Sequence, residues 1–310
     1  MIKSTYNIIE KEPEMKPSLT VLTPLYNRYQ FVDRIYYCLC AQSRKDFQWL
    51  IIDDGSERRS DDKIADFSAY SEFEIDYIYK ENGGKHTALN HAHPYIKGDW
   101  VLILDSDDVL TGDAVAKVSA AIEKYSENPE IGIISFQKGT DRETPGVKFD
   151  EGEVISDHIE YRINKKRFGD CCEVVRADVL REYPFPVFEG EKYMNESHLW
   201  MGSADKYDTV YIPGVIYLYE YNEDGLTRAG RKYWRTCPKG CFHSQVVSLN
   251  PRCSLSYRIK RALLMHYYGR LMGLKVKYIC EAAPCPSFVR FFTLPGYILY
   301  RHWERKYTTD

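Results

Sequence analysis

An apolar run, VLILDSDDVL at 101–110, ends in the three carboxylates of Asp105, Asp107 and Asp108. Asp105 and Asp107 are two residues apart, and on extended backbone such side chains point the same way. Carboxylates that converge in a crevice repel each other unless a cation lies between them. Oxygen donors of this kind suit Mg²⁺ or Mn²⁺, and those ions bridge the phosphates of a nucleotide. The plain alternative is an aspartate-rich turn that closes a strand.

Two further segments carry chemistry. In IIDDGS, residues 51–56, Asp53 and Asp54 end an apolar run and Gly55 allows a tight turn. A carboxylate there can accept hydrogen bonds from a base or a ribose, although DG turns are also common structural elements. In ENGGKHTALNHA, residues 81–92, Gly83 and Gly84 permit close backbone approach, and Lys85 can balance phosphate charge. Asn90 follows on a helical stretch. GGKHT lacks the first glycine of a Walker-type loop, so this is no triphosphatase signature.

These residues need a scaffold. SLTVLTP (18–24), QWLIID (48–53), EIDYIY (74–79) and DWVLIL (99–104) read as strands. Residues 30–42, 60–70, 87–95 and 113–125 read as helices between and after them. Alternation of this kind predicts an α/β sandwich with a largely parallel sheet. Ligands of such sheets bind beyond the carboxyl ends of the strands, where the polar clusters at 24–28, 53–56 and 105–108 all fall. Residues 1–17 form a polar lead-in, and the stretch from about 250 onward turns basic and aromatic.

The bulk numbers bound the function. A net charge of −3 over 310 residues gives no electrostatic footprint for nucleic acid. Nine scattered cysteines match no zinc pattern and predict free thiols in a cytosolic chain. The first residues lack an apolar core of signal-peptide length, and no apolar run is long enough to span a bilayer. The 26 tyrosines suit sugar and base binding, and equally suit half-buried surface.

Taken in order with TPLYNR at 23–28, these segments resemble the family 2 glycosyltransferases, inverting enzymes with the GT-A fold. The resemblance covers residues 18–125 well and implies a nucleotide-binding half there. An acceptor-binding half over 126–235 and a helical extension over 236–310 would follow. It implies that Thr23, Pro24, Tyr26, Asp54, Lys85 and Asp105 lie at the nucleotide-sugar donor. Arg28, Gly84, Asn90 and Ser106 complete that set, and Asp107 would ligate Mn²⁺ or Mg²⁺. In the family an acidic pair before Leu-Trp supplies the catalytic base. Here the text is FEGEKYMNESHLW, so Glu196 is the expected base, with Glu191 and Glu189 as rivals. Asp170, in GDCCEVVRADVL, would face the acceptor, and Arg228, in EYNEDGLTR, would reach the diphosphate.

The tail FVRFFTLPGYILYRHWERKY, 288–307, mixes aromatic and basic residues. It suits contact with the inner face of a membrane and a lipid-linked saccharide acceptor, or packing on the catalytic domain. Pro295 and Gly296 are expected to break any single helix there. Two rival functions stay open. A sugar nucleotidyltransferase would want a glycine-rich triphosphate loop near the first strand, which TPLYNR does not supply. A non-catalytic saccharide-binding relative would be expected to lose the paired aspartates, and both are present.

Overall fold

The computed structural model describes residues 16–219 and 226–307, with only the backbone of 226–229. Residues 1–15 of the lead-in lie outside the described residues. The chain opens with β1 (Leu19–Leu25), a 3-10 turn (Tyr29–Phe31), α1 (Val32–Cys40), β2 (Phe47–Asp53), α2 (Asp61–Tyr70) and β3 (Glu74–Tyr79). Next come α3 (Lys85–Ala92), β4 (Trp100–Ile103), β5 (Val109–Leu110), α4 (Ala114–Tyr125), β6 (Ile131–Gly139) and β7 (Val154–Ser156). A π-helical segment (Ile159–Asn164) precedes β8 (Cys171–Arg176), α5 (Ala177–Glu182), α6 (Ser197–Ser203) and β9 (Asp208–Leu218).

One mixed sheet holds the strands in the order β3-β2-β1-β4-β8-β6-β9-β5, with β7 also on β9. The pairs β3–β2, β2–β1 and β1–β4 are parallel; β8 then runs antiparallel to both β4 and β6. Beyond it, β6 and β9 are again parallel. Every residue of β1 and β2 is buried, because helices cover both faces. Neighbouring residues of a strand therefore serve opposite cores. Val21, Ile51 and Leu102 pack with Ile35 of α1 and Val115 of α4. Leu22, Leu50 and Val101 pack with Leu89 of α3, Leu180 of α5 and Leu199 of α6. Chain order reverses at β1, which lies between β2 and β4, and this opens a crevice at the carboxyl ends of those strands.

The remaining helices are α7 (Leu226–Trp234), α8 (Pro238–Val247), α9 (Leu255–Leu271), α10 (Val276–Glu281), α11 (Pro286–Phe291) and α12 (Thr293–Tyr307). Helix α7 is kinked at Gly230, whose φ is +49°. Pro295 and Gly296 do not break α12, contrary to the sequence expectation. They occupy its first turn, where proline's missing N–H costs no helical bond, and the break falls instead at Phe292. Gly296 has a packing reason: a Cβ there would lie 2.4 Å from the Cβ of the fully buried His266 on α9. Tyr300 and Trp303 pack inward on Tyr267. The tail thus forms a small second core with α9. Phe291, Leu294 and Ile298 remain on its outer face.

Gly296→Leu should therefore overpack the α9–α12 seam at a cost of roughly 1–3 kcal/mol. Thermal denaturation of the full chain measures it, against Ile298→Asp on the outer face, which should leave the midpoint unchanged. Equal midpoints for both variants would mean that α12 is not docked.

Candidate active site

Lys85 begins α3, and its ammonium joins two parts of the chain. Its Nζ lies 2.5 Å from Oδ1 of Asp105 at the end of β4 and 2.7 Å from Oε1 of Glu196 just before α6. The three side chains are 32%, 29% and 37% exposed, so the bridge lines an open crevice. Burial opposes the charge on Lys85, but the two carboxylates outweigh it and hold the ammonium above the ordinary lysine range. Oδ2 of Asp105 faces Lys138 of β6 at 3.8 Å, and the Lys138 ammonium lies 3.9 Å from the centre of the Tyr217 ring. The backbone N–H of Asp105 donates to the Tyr217 hydroxyl at 2.9 Å. That bond fixes the strand end from β9.

Asp54 organises the start of α3. Its carboxylate accepts from the N–H groups of Gly83 (3.0 Å) and Gly84 (2.7 Å), from Asn82 Nδ2 (3.0 Å) and from Lys80 Nζ (2.5 Å). A protein carboxylate therefore already satisfies donors at this helix N-terminus. Gly84 has φ +95°, and a Cβ on it would lie 2.1 Å from the carbonyl oxygen of Lys192. The close backbone approach expected of this glycine is made to the acceptor-side loop. Gly55 (φ +83°) is needed in the same way, against Asn82. Asp53 accepts from the Ser56 N–H and the Tyr77 hydroxyl.

Several expected ligand contacts have protein partners instead. Thr23 is buried and accepts from the Trp49 indole at 3.0 Å. Asn90 spends its carboxamide on both backbone groups of Phe185, at 2.7 and 2.8 Å. Glu191 is buried and accepts from the N–H groups of Lys239 and Gly240 at 2.9 and 2.8 Å. It caps α8, so its carboxylate oxygens are engaged by that helix N-terminus. Glu189 is an exposed loop residue. Pro24 is buried in β1. Tyr26 is exposed at the crevice rim, and Arg28 lies over the Phe31 ring. Asn27, which sequence reasoning passed over, ties the β1 end to the β2 end through Ser56 and Glu57. Asp170 is exposed just before β8. The Arg228 side chain lies outside the described residues.

Two further charged groups at the site, Lys138 and Glu173, were not singled out from sequence. Glu173 of β8 is pushed up to about 7 by burial, although Arg162 and Lys138 pull the other way. Burial and the neighbouring Asp105 push Asp108 up to about 6. Lys138 and Glu173 each sit inside an apolar strand, IGIISFQKG and CCEVVR. A lone charge in such a run is the signal that could have found them.

For a divalent metal, the donor chemistry fits. Asp105 and Asp107 offer hard oxygen donors at the strand end. Among the described residues no three acids, histidines or cysteines converge into a closed cage. Such a pair suits an ion that takes its remaining ligands from substrate phosphates and water.

Comparison with known proteins agrees with this layout. A glycosyltransferase of Mycoplasma genitalium, itself uncharacterized, is 28% identical over 123 residues, which are 38% of this chain and 40% of that one. The chain thus spans well under two thirds of that relative's length. The GalNAc(5)-diNAcBac-PP-undecaprenol beta-1,3-glucosyltransferase of Campylobacter jejuni is 25% identical over 230 residues, 70% of this chain and 69% of the relative. S. aureus TarS 1–349, solved with UDP-GlcNAc, superposes with a TM-score of 0.57 at 14% identity, covering 94% of this chain and 92% of that one. The mannosyltransferase PcManGT from Pyrobaculum calidifontis, solved with GDP-Man and Mn²⁺, gives 0.54 at 16% identity, over 94% and 84%. These two share the GT-A-like fold. Residues 20–183, more than half of the chain, match the family model described as Glycosyl transferase family 2, and the chain belongs to that family.

Proposed function

We propose that this protein transfers a sugar from a nucleotide-diphosphate donor, a UDP-sugar, to an acceptor hydroxyl on a saccharide, with inversion. The observation that carries the reading is the Asp105–Lys85–Glu196 bridge at the carboxyl ends of the parallel strands. It sets a donor-side acid and an acceptor-side acid on opposite sides of one ammonium. Support also comes from TarS, solved with UDP-GlcNAc on the same fold.

In this reading the base and nucleotide lie along the ends of β1, β2 and β4, with Tyr26 at the rim. Asp107 would hold a Mg²⁺ or Mn²⁺ together with the donor phosphates. Such an ion supplies neutralisation of the charge that develops on the departing diphosphate. Glu196 takes the proton from the acceptor hydroxyl as its oxygen attacks the anomeric carbon. The carbon–oxygen bond to the diphosphate breaks, and the diphosphate leaves with the electron pair. Lys85 orients Glu196 and keeps Asp105 fixed during this step.

A second reading concerns the acceptor's location. Phe291, Leu294 and Ile298 are 79%, 67% and 60% exposed and recur at three- and four-residue spacing, with Arg290 and Arg301 exposed beside them. Such a face favours the boundary of an anionic bilayer. No helix among the described residues is long and apolar enough to cross one. The Campylobacter relative's name specifies an undecaprenol-linked substrate, which supports a lipid-linked acceptor here.

Titration calorimetry with UDP tests the donor site. Binding should need Mn²⁺, and Asp107→Asn should erase the difference between metal and chelator. Equal affinity in chelator for the unmodified protein would count against the reading.

Glu196→Gln should lower turnover by about 100-fold or more while UDP affinity changes little. Glu191→Gln should instead lower stability by about 1 kcal/mol, since it weakens a helix cap, and spare turnover. The reverse pattern would overturn the assignment of the base.

Co-sedimentation with anionic liposomes checks the outer face of α12. The full chain should pellet at low salt, and Leu294→Asp/Ile298→Asp should remain in the supernatant. Retention of the unmodified chain in the supernatant would remove the membrane reading.

A further inference from the structure

Helices α6, α7, α8, α9 and α12 line an open cavity of about 440 Å³ beside the loop that carries Glu196. That is room for a small ligand. Asn195 and Ser197, the two neighbours of Glu196, form part of its wall. The cavity therefore adjoins the proposed base.

Its lining is unusual in charge. Arg231, Lys260 and Arg261 face it, and among the described residues no carboxylate lines it. Among the described residues no acid forms an ion pair with any of the three. Arg261 donates from Nη1 to Gln245 at 3.0 Å, while its buried Nε–H has no acceptor. The Arg231 guanidinium lies 4.3 Å from the centre of the Trp303 ring. Burial and the two guanidiniums hold the Lys260 ammonium below the ordinary lysine range. Three like charges around one hollow repel each other, and an anion between them removes that repulsion. The planar forks of two arginines match the oxygens of a phosphate. Trp234, stacked on Tyr193 with centroids 6.1 Å apart, and Trp303 also line the wall. Flat aromatic faces of this kind accept a sugar or a hydrocarbon chain.

We propose that this cavity seats a phosphate ester of the acceptor between Arg231, Lys260 and Arg261, with the adjoining sugar or chain against Trp234 and Trp303. The identification of that ester as the acceptor rests on the reading of Glu196 as base. Seated there, the acceptor is held at its anionic group while its hydroxyl end reaches toward Glu196.

The test uses the full chain and inorganic phosphate at constant ionic strength, read by tryptophan fluorescence. Trp49, Trp100 and Trp200 are buried in the cores around the sheet, whereas Trp234 and Trp303 line the cavity. Phosphate should give a saturable change that equimolar acetate does not. Lys260→Gln/Arg261→Gln should weaken it roughly tenfold, as expected when charge-assisted bonds are lost. Lys260→Gln alone, at an exposed position, should weaken it in the same direction without a folding defect. Lys277→Gln on α10 should leave it unchanged. Vesicles of phosphatidylglycerol that compete with phosphate, where phosphatidylcholine does not, would assign the ester to a lipid headgroup. Phosphate binding untouched by either vesicle would assign it to a soluble acceptor. The proposal is overturned by the absence of saturation, by an equal response to acetate, or by unaltered affinity in the double variant. None of these readouts involves UDP or turnover. A phosphate site beside a dispensable Glu196 would thus refute the acceptor assignment alone, and loss of UDP binding would leave the phosphate result standing.

Discussion

The ammonium of Lys85, held between Asp105 and Glu196, is the contact on which the rest of the site depends. Its position is set from the sheet outward. Asp54, at the end of β2, binds the N–H groups of Gly83 and Gly84, and this fixes where α3 begins. Gly84 then lets the Lys192 carbonyl come against it, so the acceptor loop meets the helix at the same point. Six residues on, Asn90 grips the Phe185 backbone from the same helix. One short helix therefore holds the start and the end of the 185–196 segment. The polar groups of α3 that the sequence offered to a nucleotide are spent on the segment that carries Glu196.

This explains why the donor half was legible in the sequence and the acceptor half much less so. Strands β1, β2 and β4 are covered on both faces, so they read as unbroken apolar runs with polar residues at their ends. The topological reversal at β1 turns those ends into one crevice. Resemblance to the family added the order of the motifs. In the acceptor half, by contrast, the deciding partners are backbone groups far along the chain. Glu191 and Lys239 are 48 residues apart, and Asn90 and Phe185 are 95 apart. A capping carboxylate and a catalytic one look the same in sequence, because main-chain N–H groups leave no trace in it. Lys138 and Glu173 did leave one, as single charges inside apolar strands. The tail was misread at Pro295, since proline forbids a helix interior but not its first turn.

The carboxy-terminal helices are more than an appendage to this arrangement. Glu191 caps α8, Ser244 of α8 reaches Met194, and the paired rings of His198 and His243 meet at 3.0 Å. The loop that carries Glu196 is thus clamped on one side by α3 and on the other by α8. Under the proposed function, a base so held would lose little freedom when an acceptor arrives, which favours a well-oriented attack.

Charge balance then separates the two sides. Around the strand ends the lysines are already matched: Lys80 with Asp54, Lys85 with Asp105 and Glu196, and Lys138 with Asp105. A diphosphate entering there adds negative charge to a crevice that also holds Asp107 and Asp108. It can be neutralised by drawing a lysine away from its acid, which leaves that acid unpaired, or by arriving with a cation. Exchanging partners gains little, because each bond formed replaces one of similar strength. In the proposed mechanism a divalent ion held by Asp107 and the phosphates would leave Lys85 on Glu196. Across the loop the cations of α7 and α9 have no such partners among the described residues. Under the proposed function, the chain would meet donor and acceptor on opposite electrostatic terms: a donor side whose lysines are already paired, and an acceptor side that carries positive charge of its own.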